Sequence, residues 1–283
     1  MADILNLIFK TFASRSELVA VNEGSFSALV PAARSALVVG EERTLTRSVL
    51  LLAAVTAASE SNLRVIFLTQ TQIQSLPVVL QKRVPSLTPD TLKKIKFCYP
   101  RTLEELFVHV AGLHESPHSP PSLIIVEGLE GYLCSPGPST SSGLHTSEQA
   151  SAAHLSALLC DTASFLTQVL EKQGSALTPC RIIASFQPQG NTEQKSGEAS
   201  VDPVLDVLDR YFQVRCTLDQ DRSYESTSGG LQQVWNIYLS CLDMKQTSCK
   251  NAGVENKEEQ AVHEWRLLLS PDGMMEFKAS QKN

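Results

Sequence analysis

The sequence predicts an α/β fold: a mostly parallel, doubly wound sheet extended by C-terminal antiparallel strands. Three observations predict it. Short, mainly apolar runs at 36–40, 65–69, 122–126 and 181–186 have the length and composition of strands buried on both faces, as parallel strands are. Stretches of helical periodicity separate them, and such alternation builds a parallel sheet with helices on either side. Beyond residue 213 apolar and polar residues alternate between short turns, which suits antiparallel strands with one buried face.

In chain order, Ile4, Leu5, Ile8, Phe9 and Phe12 fall at helical spacing, so residues 3–13 form a short amphipathic helix that packs on the core or docks a partner. The run 36–40 ends in Gly40, and after a polar stretch VLLLAAVTAA suits a buried helix. The strand at 65–69 leads to an amphipathic segment at 73–83, then KIKFCYP at 94–100 and a helical pattern at 102–114, with Pro85 and Pro100 as punctuation. The strand at 122–126 ends in Glu127 and Gly128, and a long helical pattern from AAHLSALL to LTQVLEK precedes the strand at 181–186. Two connections, 135–149 and 187–203, are longer than compact domains usually contain and read as functional or disordered. The helix PVLDVLDRYF precedes strands at 214–218, 234–241, 264–269 and 274–278; Ser270, Pro271, Asp272 and Gly273 form a hairpin turn, and 244–259 reads as a polar surface loop. Residues 1–35 are assigned to an N-terminal extension, 36–278 to the core and 279–283 to a tail.

Composition narrows the function classes. The chain has 283 residues, 42% hydrophobic and 19% charged, which excludes disorder throughout. Its 24 Lys and Arg against 30 Asp and Glu give a net charge of -6, so DNA contact requires local basic clusters working against the overall field. Lys93, Lys94 and Lys96 form one such cluster, Lys82 and Arg83 a smaller one, and Lys195 lies in the second long connection. No apolar run approaches the roughly 20 residues that span a bilayer. An acid at Asp3 and the lack of a cleavage pattern argue against secretion. Seven scattered cysteines without C-x-x-C read as reduced thiols of the cytosol or nucleus, with no metal site.

The turn from the first strand into the buried helix is where a doubly wound sheet binds phosphate, because a helix N-terminus offers free N–H groups and a positive dipole end. A P-loop there reads G-x-x-x-x-G-K-[ST]. Counting from Gly40, Leu45 replaces the second glycine, Thr46 the lysine and Arg47 the hydroxyl residue. Thr44, Thr46 and Ser48 still offer hydroxyls and Arg47 a cation, so Gly40, Thr44, Thr46, Arg47 and Ser48 are the candidate nucleotide residues. The competing reading is a turn that binds nothing, since Leu45 carries a Cβ where close backbone approach is needed. Glu127, at the end of an apolar strand, is the candidate catalytic acid that would hold magnesium; Thr69, Gln70 and Thr71 stand where a further acid would follow the second strand. No G-x-S-x-G, H-E-x-x-H or G-x-G-x-x-G occurs, which argues against the hydrolase and metalloprotease readings.

LIIVEGLEGYL, SAAHLSALLCDTASFL and RIIASFQPQ, with the long loops between and after them, resemble the core of RecA-like recombinases. FLTQTQIQSLP, LKKIKFCYPRTLEELF, LDRYFQVRCTL and EWRLLLSPDGMMEF resemble one branch of it, the vertebrate SWIM-domain zinc-finger-associated ATPases of the Shu complex, over about residues 36–278. That resemblance implies a nuclear accessory factor of homologous-recombination repair. It implies heterodimerisation with a SWIM-domain zinc-finger protein, binding of single-stranded DNA through loops at about 134–149 and 187–202, and support of the recombinase and its paralogues. It also implies DNA-stimulated ATP hydrolysis with ATP and magnesium, Gln187 sensing the nucleotide, although the loop after Gly40 departs from the family pattern. Phe26 to Leu29 occupies the place of an F-x-x-A hook, with Leu29 in place of alanine. The alternative reading is a non-catalytic α/β scaffold subunit that binds neither nucleotide nor DNA.

Overall fold

The computed structural model describes residues 2–13, 33–83, 88–115, 120–134, 142–173, 179–188, 202–222, 232–241 and 263–279. Its strands are β1 (Ser35–Gly40), β2 (Val65–Leu68), β3 (Ile95–Cys98), β4 (Leu123–Val126), β5 (Arg181–Phe186), β6 (Val214–Gln220), β7 (Gln233–Cys241), β8 (His263–Leu269) and β9 (Met275–Ala279). They form one sheet in the order β3-β2-β4-β5-β1-β6-β7-β8-β9. Pairing is parallel from β3 through β6 and antiparallel from β6 to β9. This is the mostly parallel, doubly wound sheet with an antiparallel extension that the sequence predicts.

Successive strand residues point to opposite faces, and the two faces have different covers. Ala36, Val38, Val65, Phe67, Leu123, Ile125 and Ile183 belong to one apolar cluster, with the helices α1 (Ala2–Thr11) and α2 (Arg43–Ser59). Leu37, Val39, Ile66, Leu68, Ile124, Val126, Ile182 and Ala184 belong to the other, with α5 (Leu103–Ala111), α6 (Glu130–Leu133), α7 (Ser142–Lys172) and α8 (Pro203–Leu208). Between β2 and β3 lie the short helices α3 (Val78–Arg83) and α4 (Pro89–Leu92). Strands β1, β2 and β4 are buried along their whole length, whereas β6 alternates buried and half-buried residues. That contrast is the physical origin of the change in sequence pattern near residue 214.

The amphipathic stripe near the N-terminus packs on the antiparallel end of the sheet. Leu5, Ile8 and Phe9 are fully buried, and the Phe9 ring lies 5.5 Å from Trp265 and 5.1 Å from Phe277. The following residue pair extends the edge, Phe277 N–H donating to the Phe12 carbonyl. Local chemistry sets several boundaries. Thr102 accepts from Glu105 N–H at the start of α5, and Asp202 from Val204 and Leu205 N–H before Pro203 opens α8. The expected hairpin turn closes with Gly273 N–H on the Ser270 carbonyl and Met274 N–H on the Asp272 carboxylate.

Some expectations are corrected. The long connection at 134–149 is not a loop throughout: α7 begins at Ser142, so Gln149 is helical. Packing against α8, with the Gln149 amide donating to the Pro203 carbonyl at 3.3 Å, overrides the weak helix propensity of its Ser- and Gly-rich start. Of the amphipathic segment at 73–83 only Val78–Arg83 is helical, because Pro77 disfavours helical geometry at Leu76. The helix expected at 102–114 ends as a 3-10 turn over Gly112–Glu115. Phe26 to Leu29 and the loop at 244–259 lie outside the described residues. No described helix is long and apolar enough to cross a membrane.

Because Phe9 is wholly buried between two aromatic rings, Phe9→Ala is expected to lower the unfolding free energy by about 3–5 kcal/mol, read from the urea midpoint. A loss below about 1 kcal/mol would show that the N-terminal helix contributes little to the fold.

Candidate functional site

In an open α/β sheet, ligands bind outside the carboxyl ends of the strands. Here the ends of β1, β2, β4 and β5 meet the N-terminus of α2. β1 ends at Gly40 and α2 starts at Arg43, so the whole connection is Glu41 and Glu42. Two residues are too few to wrap a phosphate, and both place carboxylates at the helix end that would otherwise favour an anion. Gly40 has a packing reason: a Cβ there would lie 3.1 Å from Thr46 Oγ1 and 3.2 Å from Leu218 Cβ. The hydroxyls of the candidate nucleotide residues are used locally. Thr44 Oγ1 donates to the Glu42 carboxylate at 2.5 Å, Thr46 Oγ1 to the Glu42 carbonyl at 3.0 Å and Ser48 Oγ to the Thr44 carbonyl at 2.8 Å.

Glu127 is the centre of the site. Its side chain is 1% exposed. Arg47 Nε donates to Oε1 at 2.9 Å, Thr69 Oγ1 donates to Oε2 at 2.5 Å, and Arg43 Nε stands 3.6 Å from Oε1. Arg47 Nη2 also donates to Thr71 Oγ1. Arg43 and Arg47 are four residues apart on α2 and share a face, so one helical turn delivers both guanidinium groups to one carboxylate. A buried carboxylate needs such compensation, since removing one partner leaves an uncompensated charge. The same pairing repels a divalent cation, and both carboxylate oxygens already accept hydrogen bonds.

The next turn completes the arrangement. Gly128 adopts φ +74°, a conformation that favours glycine, and a Cβ there would lie 3.3 Å from both Arg43 Nη2 and Glu130 Oε1. Its N–H donates to Ser185 Oγ at 2.9 Å. Glu130 Oε2 accepts from Gln187 N–H at 3.0 Å, while the Gln187 amide donates to the Glu41 carbonyl. Burial pushes the Glu130 carboxyl above its ordinary range, and the Gln187 N–H and the Arg43 charge only partly offset it. Gln187 therefore bridges the ends of β1 and β5. Gly40, Arg43, Glu127, Glu130 and Gln187 line a small cleft at this end of the sheet. The residues present do not fit a magnesium-bound nucleotide: the connection is short and acidic, and guanidinium groups stand where magnesium would need open carboxylate.

The structure thus gathers Gly40, Thr44, Thr46, Arg47, Ser48, Glu127 and Gln187 at one end of the sheet. It does not bring the candidate DNA lysines there. Lys93 and Lys94 precede β3, at the opposite end of the parallel strands; Lys93 Nζ lies 3.0 Å from the Asp90 carboxylate and Lys94 Nζ 3.4 Å from the Ala58 carbonyl. Lys96 is exposed on edge strand β3, and Lys195 lies outside the described residues. Sequence reasoning missed Arg43, Glu130 and Ser185; the four-residue spacing of Arg43 and Arg47 was the available signal. Among the described residues no cluster of three or more His, Cys, Asp or Glu could hold a metal.

No family model matches the chain. The mouse (Mus musculus) ATPase SWSAP1 is 32% identical over 240 residues, covering 84% of this chain and 71% of that protein. The human (Homo sapiens) ATPase SWSAP1 is 33% identical over 185 residues, covering 65% of this chain and 71% of that protein. Among solved structures, a DnaB-like replicative helicase aligns with TM-score 0.46 and 9% identity over 88% of this chain and 59% of its own. The ATPase domain of G40P aligns with TM-score 0.49 and 10% identity over 88% and 85%.

Two measurements check the geometry. Arg47→Ala alone is expected to destabilise the fold by about 1.5–3 kcal/mol, and Glu127→Gln in the same chain to recover part of that loss; additive effects would mean the pair is not coupled. Burial raises the folded-state pKa of Glu130, so the folded chain binds that proton more tightly than the unfolded chain does. Its ionised form costs stability at neutral pH, and the cost is relieved as pH falls from the raised folded-state value to the ordinary carboxylate range of the unfolded chain. Glu130→Gln should therefore be the more stable protein at pH 7, with the gap closing on acidification. A gap independent of pH would contradict this.

Proposed function

The chain belongs to the ATPase SWSAP1 family, and from that premise we propose that it acts in homologous-recombination DNA repair as an adaptor of RecA-like fold that does not turn over ATP. In this reading it works in the nucleus as a heterodimer with a SWIM-domain zinc-finger protein, binds single-stranded DNA and supports the recombinase filament. The observation that carries the loss of turnover is the pair of guanidinium groups on Glu127. They occupy the acid that would hold magnesium, while the connection after Gly40 lacks the backbone that would hold phosphate.

The same network supports a DNA-binding role without a nucleotide. The two long connections leave the sheet at the ends of β4 and β5, beside the site. Gln187, the first residue after β5, is already bonded to Glu41 and Glu130. In an enzyme whose loops respond to nucleotide, that contact would have to form and break. Here it is made by the protein alone, so in this reading DNA affinity does not depend on ATP. Contact is carried by phosphate neutralisation, which makes affinity fall with salt through counterion release.

The test uses the chain purified with its SWIM-domain partner. ATP hydrolysis with and without single-stranded DNA is expected to stay at the level of an Arg47→Ala, Glu127→Gln double variant, while DNA affinity falls with salt and is unchanged by ATP. Turnover that rises with DNA and disappears in the double variant would overturn the adaptor reading. Retained partner binding with no salt-dependent DNA affinity would leave a heterodimer scaffold instead.

A further inference from the structure

The outer layer of the sheet face opposite α1 and α2 has an unusual charge distribution. Between Arg101 and Lys172 the sequence contains no Lys or Arg at all, although the chain has 24. That stretch supplies α5 and α7, which pack against each other on this face. Glu104, Glu105, Glu115, Asp161 and Glu171 are exposed on it. Two nearby cations are already matched, Arg210 in the turn after α8 with Asp206 at 2.5 Å and Arg215 on β6 with Asp209 at 2.9 Å.

An apolar strip lies within this acidic surface. Val108 on α5 is 72% exposed, more than any other large hydrophobic residue described. Beside it Phe107 is half-buried and rests against the exposed His154 ring at 4.7 Å. Farther along α7, Leu158 and Phe165 are also half-buried, at spacings that share the His154 face. The 3-10 turn after α5 closes the strip, with His114 stacked on Phe165 at 4.4 Å and bonded to Thr162 Oγ1 at 3.0 Å. Exposed apolar surface rimmed by charge of one sign marks a protein-interaction site, and here the rim is anionic.

We propose that the α5–α7 face docks a basic amphipathic helix of a protein partner, its apolar stripe on Phe107, Val108, Leu158 and Phe165 and its Lys or Arg residues against the acidic rim. An apolar stripe laid into a groove, flanked by complementary charge, is an established mode of helix recognition. Charge complementarity selects this occupant: the rim repels nucleic acid, and the chain's own net negative charge disfavours a second copy. The inference is independent of the Glu127 site, which lies at the ends of the strands rather than on this face.

The test measures binding of the full chain to a fluorescent Leu/Lys amphipathic helical peptide of about five turns, with a Leu/Glu peptide of the same pattern as control. The Leu/Lys peptide is expected to bind, and Val108→Lys with Glu104→Lys to weaken it about tenfold or more. Both substituted side chains are exposed, so circular dichroism should show an unchanged fold. Lys96→Glu on the edge strand should leave binding intact. Equal binding of both peptides, no binding of either, or binding indifferent to the Val108 and Glu104 changes would overturn the proposal. Self-association of the chain that Val108→Lys abolishes would also overturn it, in favour of a second copy. ATP turnover and DNA affinity are read separately, so failure here is distinguishable from failure of the adaptor reading.

Discussion

A carboxylate with 1% of its side chain exposed must be compensated, and the site is built around that requirement at Glu127. The acid sits at the end of β4, between β2 and β5, where strands crowd it on both sides and water is excluded. Two guanidinium groups from one turn of α2 and one hydroxyl from the end of β2 satisfy it. The pairing joins a helix to two strand ends, so it also fixes how α2 sits on the sheet. Removing either partner exposes an unmet charge in a place that cannot hydrate it.

This constraint changes what the end of the sheet can do. A nucleotide site needs an open carboxylate for magnesium and free N–H groups for phosphate. Here the carboxylate is closed by arginine, and the entry to the helix is guarded by Glu41 and Glu42. Gln187 then ties β5 to the same turn through the Glu41 carbonyl and Glu130. The connection leaving β5 therefore starts from a residue bonded both to the end of β1 and to Glu130. Elsewhere the sheet divides its work by face: one side buries α1 and α2, and the other carries the acidic layer of α5 and α7.

The architecture was legible in the sequence because burial leaves periodic traces. Apolar runs such as LVV and LIIV mark strands covered on both sides, and the alternation in VWNIYLSC marks a strand buried on one side. The site was half legible. Gly40, Arg47 and Glu127 stand out by position, and the structure gathers them, but Arg47 and Glu127 are 80 residues apart in sequence. No local pattern says that they bond to each other rather than to a ligand. Lys93, Lys94 and Lys96 cluster in sequence, yet strand direction carries Lys93 and Lys94 to the far end of the sheet. The start of α7 was hidden because tertiary packing on α8, not propensity, makes it helical.

The central claim is that this end of the sheet is closed to nucleotide by its own side chains. The most direct measurement is the thermal midpoint of the wild-type chain across a millimolar titration of ATP with magnesium, because any ligand that binds only the folded state raises that midpoint. The account predicts a midpoint that does not move beyond the effect of the same salt without nucleotide. A midpoint that climbs with nucleotide concentration would mean that the arginines yield Glu127 to magnesium, and the account would be wrong.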